Sequence, residues 1–375
     1  MRDAVLMSLL IGPAVPLPVP SAVLDALVSV QVITDTSQGQ TGFELKFSLD
    51  TRSPIHTVFL IAGGATPPLM RVVIVATVNG LPEVLIDGVM TSHRTGASTG
   101  GVATLTILGK DLLTVMGYLP PLPIPYPAMP AEARVLLILA KYAMFGIVPM
   151  VIPSVLLDVP LPTERIPRQQ GTDLEYVRAL ADEVGYVFYL RPGPVPGMSV
   201  AYWGPEIKVG VPQPALTLDP EHLANVGPMS FEYDAEAAEL PIVWIQEPQS
   251  KVPIGIPIPD ISPLNPPLAA IPPIPKRFPA IDETAKYSPV RALLIGIAKA
   301  ARHADVVSAT GSLEVGRYGR VLRARELVGV RGAGLAFDGL YYVSRVTHEI
   351  KRGAYTQQFT LKRNGLVSTV PVVPV

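Results

Sequence analysis

The side chains able to carry chemistry in this 375-residue chain are few, and their spacing argues against each reaction in turn. Five histidines stand at 56, 93, 222, 303 and 348, and none pair at the spacing a metal site uses. His348-Glu349 opens like a zinc-protease helix, but Arg352 stands where the second histidine is required. His348 is therefore expected to be a hairpin side chain with local hydrogen bonds. Gly329, Gly332 and Gly334 make no dinucleotide fingerprint, because they join strand to strand without a helix N-terminus to hold a pyrophosphate. Gly109-Lys110-Asp111 lacks the preceding glycine and following hydroxyl of a phosphate loop. Gly96-Ala97-Ser98-Thr99-Gly100 matches a serine nucleophile elbow in letters only, since an elbow needs a helix after the serine and a strand follows here. Asp182-Glu183 falls on the polar side of a helix, where solvated charge belongs. Trp203 and Trp244 suit core packing or subunit contact better than a sugar surface. No catalytic, metal-ligating or cofactor-binding set emerges, and no cofactor is expected.

The elements that would position such residues are mostly strands. Val28–Thr34 reads as a strand, and Gly42–Leu49 alternates Phe43, Leu45, Phe47 and Leu49 against Glu44, Lys46 and Ser48. After a loop around Gly63–Pro68 comes the valine-dense run Arg71–Val78. Asn79-Gly80 is a strong hairpin signal, with Val84–His93 as the returning partner. Gly96–Gly101 turns into Val102–Leu108, and a short helix follows at Lys110–Met116. Pro130 and Gly146 bracket a helix over Ala131–Phe145, apolar nearly all round and so expected to be buried on more than one side. In Gln169–Leu190, Thr172 and Glu175 form a capping box, Leu174, Val177, Leu180, Ala181 and Val184 make one apolar stripe, and Gly185 ends the helix before a strand.

Further on, Met198–Trp203 is a strand, and Pro228–Asp234 with Pro241–Gln246 suggest an antiparallel pair. Lys251–Pro279 holds ten prolines and reads as an exposed connector without a packed element. Ser288-Pro289 opens a helix to about Val307. The β-region Gly311–Arg363 ends in a hairpin of Leu340–Ile350 and Ala354–Arg363 around Lys351, Arg352 and Gly353. In its second run Tyr355, Gln357, Phe359 and Leu361 share one parity.

Composition narrows the class. Thirty basic and 31 acidic residues give a net charge of −1, without the basic excess a nucleic-acid binder needs. The absence of cysteine excludes disulfides, thiolate metal sites and thiol nucleophiles. Hydrophobic residues make up 49% and charged ones 16%, against about 25% charged in ordinary domains. Such a surface must be covered by a membrane or by other subunits. The most apolar window, Val135–Leu157, contains Lys141, Gly146, Pro149 and Pro153, so stable membrane insertion is not expected. Residues 1–20 imitate a signal peptide, but Asp3 and the prolines at 13, 16, 18 and 20 point instead to an apolar arm docking on a neighbouring subunit. The tail 367–375 reads as a second arm.

Two motifs together resemble a known family. Gln170, Gly171, Asp173, Leu174, Leu180, Ala181, Gly185 and Tyr186, with Tyr176 where the family usually has Phe, resemble the middle of the phage late-control D and VgrG hub proteins. Gly339, Tyr341, Val343, Val346, His348, Tyr355, Phe359 and Arg363 resemble the end of the same family. The likeness spans roughly residues 20 to 365 in order. It implies an α+β, mainly β, fold with two tube-type antiparallel β-barrel domains and a helix-containing middle insert. The corresponding division is an arm (1–20), a first barrel (21–118), a middle domain (119–210), the start of the second barrel (211–250), a connector (251–287), the rest of the second barrel (288–366) and a tail (367–375).

The function implied by that resemblance is structural: the baseplate hub of a contractile injection system, with no enzymatic activity. A homotrimer would join a trimeric spike to a hexameric inner tube, surrounded by baseplate and wedge proteins, without nucleic acid. VgrG proteins continue into a β-helical needle and this chain stops at Val375, so a separate spike protein is expected. Assembly would occur in the cytoplasm within a phage tail-like particle, released with it from the cell where the particle is an extracellular injector. The competing readings are a membrane-associated or secreted binding protein and a cell-wall hydrolase.

Overall fold

A computed structural model of the chain describes residues 5–13, 15–49, 69–97, 103–120, 124–154, 163, 166–218, 224–246, 252–258, 265–281, 292, 295–297 and 305–370. The fold is α+β and mainly β. The first third contains β1 (Leu6–Gly12), β2 (Leu17–Pro18), a short helix α1 (Ser21–Asp25), β3 (Leu27–Asp35), β4 (Gly42–Leu49), β5 (Arg71–Val78), β6 (Leu81–Ala97) and β7 (Ala103–Asp111). In β4 the alternation is physical, with Phe43, Leu45, Phe47 and Leu49 all buried. Asn79 and Gly80 both take positive φ, as the tight β5–β6 turn requires. The loop Gly63–Pro68 and Ser98 lie outside the described residues. A 3-10 turn over Leu112–Gly117 replaces the helix expected from Lys110, because β7 runs on to Asp111.

The middle section contains α2 (Ala131–Ala140), β8 (Ile147–Val151), α3 (Asp173–Glu183), β9 (Val187–Pro192) and β10 (Ser199–Gly204). β10 is central, parallel to β8 and antiparallel to β9. Helix α2 is shorter than expected. It ends at Ala140, and a 3-10 turn at Ala143–Phe145 leads to Gly146 in the left-handed region. It is also buried on one side only: Val135, Ile138 and Leu139 face the core while Leu136 and Leu137 are exposed. The capping box of α3 forms as expected, with Thr172 and Glu175 satisfying each other's backbone N–H groups.

The last part contains β11 (Gln213–Thr217), β12 (Met229–Tyr233), β13 (Ile242–Gln246), β14 (Pro253–Pro257), β15 (Ala269–Ile271), β16 (Ala280–Ile281), β17 (Val307–Glu314), β18 (Leu327–Arg331), β19 (Gly339–Lys351), β20 (Ala354–Arg363) and β21 (Leu366–Ser368). Here the expected pairing of Pro228–Asp234 with Pro241–Gln246 is replaced. β12 pairs with β17, while β13 lies between β14 and β16 in its own small sheet. The proline-rich segment accordingly does contain packed elements. Its strand β14 is an edge, where Pro253 and Pro257 deprive no neighbour of a donor. The helix expected from Ser288 lies largely outside the described residues, and Val307 opens a strand rather than closing that helix.

Among the described strands, thirteen form one sheet in the order β12-β17-β20-β19-β3-β4-β7-β6-β5-β1-β2, with β18 joined to β19 and β11 to β18. Among the described residues no pairing closes either half into a barrel. Instead β3 and β19 pair antiparallel, from Asp35 opposite Arg345 to Ser29 opposite Lys351, and fuse the halves. The N-terminal arm is also part of this sheet: β1 pairs along β5 and buries Leu9 and Ile11, so its apolar face is used within the chain. The tail similarly pairs through β21 with β15. One hydrophobic cluster runs through both halves, from Val30 and Phe47 to Val346 and Phe359. A second, around Val135, Val177 and Trp203, holds the middle section.

Candidate functional site

The motif residues fall into two interior clusters. In the first, Asp173 at the start of α3 is buried and accepts hydrogen bonds from Gln169 Nε2 (2.6 Å), Tyr142 Oη (2.7 Å) and Lys141 Nζ (3.1 Å). Gln169 also accepts from the Tyr126 hydroxyl, and Tyr126 stacks on Tyr176, whose hydroxyl accepts from Arg134. These bonds tie α2, α3 and the preceding loop together. Leu180, Ala181 and Tyr186 are buried, Leu174 and Gly185 are half-buried, and Gly171 is exposed. Tyr186 meets Trp203 edge to face at 4.9 Å, and Trp203 is fully buried with its indole N–H on the Val177 carbonyl. Gln170 is exposed, and the glutamine in the network is its neighbour Gln169.

The second cluster lies in the C-terminal hairpin, where Gly339, Tyr341, Val343, Val346, His348, Tyr355, Phe359 and Arg363 are all buried. Arg363 donates from Nε to the Gly365 carbonyl (2.8 Å) and from its two terminal nitrogens to the Asp338 (2.8 Å) and Ala336 (2.6 Å) carbonyls. Tyr341 packs under its guanidinium and donates its own hydroxyl to Phe337 O. Gln357, also fully buried, both donates to and accepts from the backbone of Leu322. That fixes which end of its amide is nitrogen, and the same nitrogen lies 3.2 Å from His348 Nδ1. His348 Nδ1 is therefore an acceptor, taking the Tyr355 hydroxyl at 2.8 Å, and its proton sits on Nε2. Burial pushes the His348 pKa down to about 3. This is a neutral structural imidazole with local hydrogen bonds.

Sequence reasoning missed a third set. Arg71 forms a bidentate ion pair with Asp87 (2.8 and 2.6 Å), both fully buried, on adjacent strands of the first third. Arg71 also donates to Gly197 O, and Ser199 Oγ donates to Asp87, so the pair clamps β10 to the large sheet. The available signal was Arg71 at the head of the otherwise apolar β5 and Asp87 within its apolar partner run Val84–Met90. Lys208 pairs with Asp305 beneath the Tyr342 ring, and Arg325 lies over Tyr189 at 3.9 Å. These contacts hold strands in place. Among the described residues no group of three His, Asp or Glu could hold a metal ion, and no helix is long and apolar enough to cross a membrane.

The surface offers apolar side chains instead. Met144, Val148 and Met150 are exposed beside the outer face of α2, with Met144 at 71%. Val211 (92%), Leu335 (82%) and Ile274 (84%) stand almost free, and Trp244, Ile254, Ile271 and Phe278 extend the same character along the β13–β16 region.

No protein-family model matches the sequence, and no curated protein does. Solved structures do. A tail protein from Neisseria meningitidis MC58 superposes with a TM-score of 0.63 at 13% identity, over 97% of this chain and 98% of that one. The 43 kDa tail protein of prophage MuSo2 from Shewanella oneidensis gives 0.61 at 13% identity, over 96% and 99%. A chain of the Francisella PdpA-VgrG complex gives 0.61 at 9% identity, with 99% of this chain covering 55% of the matched chain. The chain thus has, over nearly its whole length, the fold of these two tail proteins.

Proposed function

We propose that this chain is the structural baseplate hub of a phage-like contractile injection system. Three copies form a ring that joins a trimeric spike to a hexameric inner tube, with baseplate or wedge proteins outside. The observation that carries this reading is the end-to-end likeness to tail proteins, covering 97% of this chain and 98% of one of them. Physical features support it. The large sheet ends in β12 on one side and β1–β2 on the other, and edges of different shape favour head-to-tail contacts that close a ring. The two halves of that sheet are read as two similar tube-type units per copy, so that three copies offer six to a hexameric tube. The exposed apolar side chains around α2 and β13–β16 become subunit contacts in this arrangement. The motif residues keep the fold, with no catalysis and no cofactor, and assembly takes place in the cytoplasm within a tail-like particle.

The test is to isolate tail-like particles from the producing cells and locate this chain by electron microscopy. Three-fold density between spike and first tube ring is the expected result. A chain absent from such particles and monomeric at micromolar concentration overturns the reading.

A further inference from the structure

A cleft of about 210 Å³ lies between the end of β7 and α3, apart from the polar clusters that hold the fold. Its walls carry Thr41, Lys110, Asp111, Thr114, Leu174 and Arg178. Arg178 Nε is buried and meets no hydrogen-bond partner, a state that native interiors seldom leave unanswered. Asp111 has one weak partner, the Thr114 hydroxyl at 3.5 Å. Among the described residues neither Arg178 nor Asp111 enters an ion pair, although their charges act on each other. Lys110 is exposed at the mouth. Two cations against one carboxyl leave the cleft net positive, with a buried N–H on a lining side chain lacking an acceptor.

We propose that this cleft binds a carboxylate, with Arg178 donating to its oxygens, Lys110 supplying a second positive charge, and the Thr41 and Thr114 hydroxyls available as further donors. A planar monoanion suits the guanidinium edge. A phosphate dianion does not, because the Asp111 carboxyl shares the wall. Burial holds that carboxyl up at about 6 despite the opposing pull of Arg178, so it carries part of a proton that an incoming carboxylate can share. The carboxylate comes either from an acidic side chain of a neighbouring subunit, which rests on the assembly reading, or from a small free acid.

The full chain is labelled with nitrogen-15 at arginine Nε, and the Arg178 resonance is identified by its loss in Arg178→Lys. Glutarate, glutaramide, phosphate and the capped peptides Gly-Glu-Gly and Gly-Gln-Gly are then titrated at constant ionic strength. Glutarate is expected to move the Arg178 resonance saturably, and glutaramide and phosphate are not. A matching response to the Glu peptide but not the Gln peptide assigns the site to a protein side chain, and a response to glutarate alone assigns it to a free acid. By calorimetry Arg178→Gln weakens glutarate binding about tenfold or more, and the exposed change Lys110→Gln about threefold. Circular dichroism checks that each variant is folded. The proposal fails if no titrant gives a saturable shift, or if glutaramide or phosphate acts as well as glutarate. It also fails if Asp111→Asn alone moves the Arg178 resonance as the ligand does, because Asp111 is then its partner.

Discussion

The guanidinium of Arg363 lies 4.4 Å from the ring centroid of Tyr341, and this stack lets a cation sit fully buried in the C-terminal core. Three backbone carbonyls depend on the same side chain. Arg363→Ala is expected to destabilise the chain by about 3 kcal/mol or more, because those carbonyls lose their partner in the interior. Arg363→Lys recovers little, since an ammonium cannot span the three carbonyls or stack as a plane. Urea unfolding of the isolated chain followed by tyrosine fluorescence checks both.

The Arg71–Asp87 pair behaves differently. Removing one partner strands a buried charge, so Arg71→Ala is expected to cost about 3–5 kcal/mol. The double change Arg71→Met with Asp87→Leu should return most of that loss. Because the pair also holds Gly197 and Ser199, Arg71→Ala should open the β9–β10 region to limited proteolysis before the rest.

Acid exposes His348. Its imidazole titrates near 6.5 when unfolded and near 3 when folded, so between those values the unfolded chain binds more protons. Its contribution to stability is present above about pH 6.5 and lost as pH falls toward 3. Replacing His348 by Gln should flatten the acid side of the thermal-midpoint profile in that window.

Asp111 acts in the opposite sense. Its folded pKa of about 6 stands above the unfolded 3.8, so the folded chain binds more protons between them and stability falls as pH rises. Asp111→Asn is therefore expected to raise the thermal midpoint at pH 7 and to lose that advantage by about pH 4. Equal midpoints at pH 7 would contradict the burial that sets this pKa.

Two glycines of the C-terminal hairpin separate conformation from contact. Gly353 has φ +76° and open space where a Cβ would go, so Gly353→Ala costs about 1–2 kcal/mol from the backbone alone. Gly339 has φ +118° and a Cβ there would strike the Ser368 side chain, so Gly339→Ala costs more. Adding Ser368→Gly should return only that excess.

What the sequence disclosed was local. The alternation of β4, the Asn79-Gly80 turn, the Thr172–Glu175 box and the C-terminal hairpin are each written in one short continuous stretch, and each forms. Pairing between distant strands is decided by which apolar faces meet, and no local pattern records it. Hence β12, expected beside its sequence neighbour, pairs with β17, and the N-terminal arm, expected on another subunit, lies on β5. Of the candidate site residues, those in the hairpin could be placed by parity. The Arg71–Asp87 clamp could not, because its value depends on a third element approaching from residues 197–199.

The junction of β3 with β19 has a consequence for synthesis. Asp35 leaves the ribosome about three hundred residues before its partner Arg345. At about 5–20 residues per second, β3 waits some 15–60 s with one side of its backbone unclaimed. During that interval the nascent first half exposes an adhesive strand to every other growing copy, and crowded polysomes are where this protein is most at risk of joining the wrong neighbour.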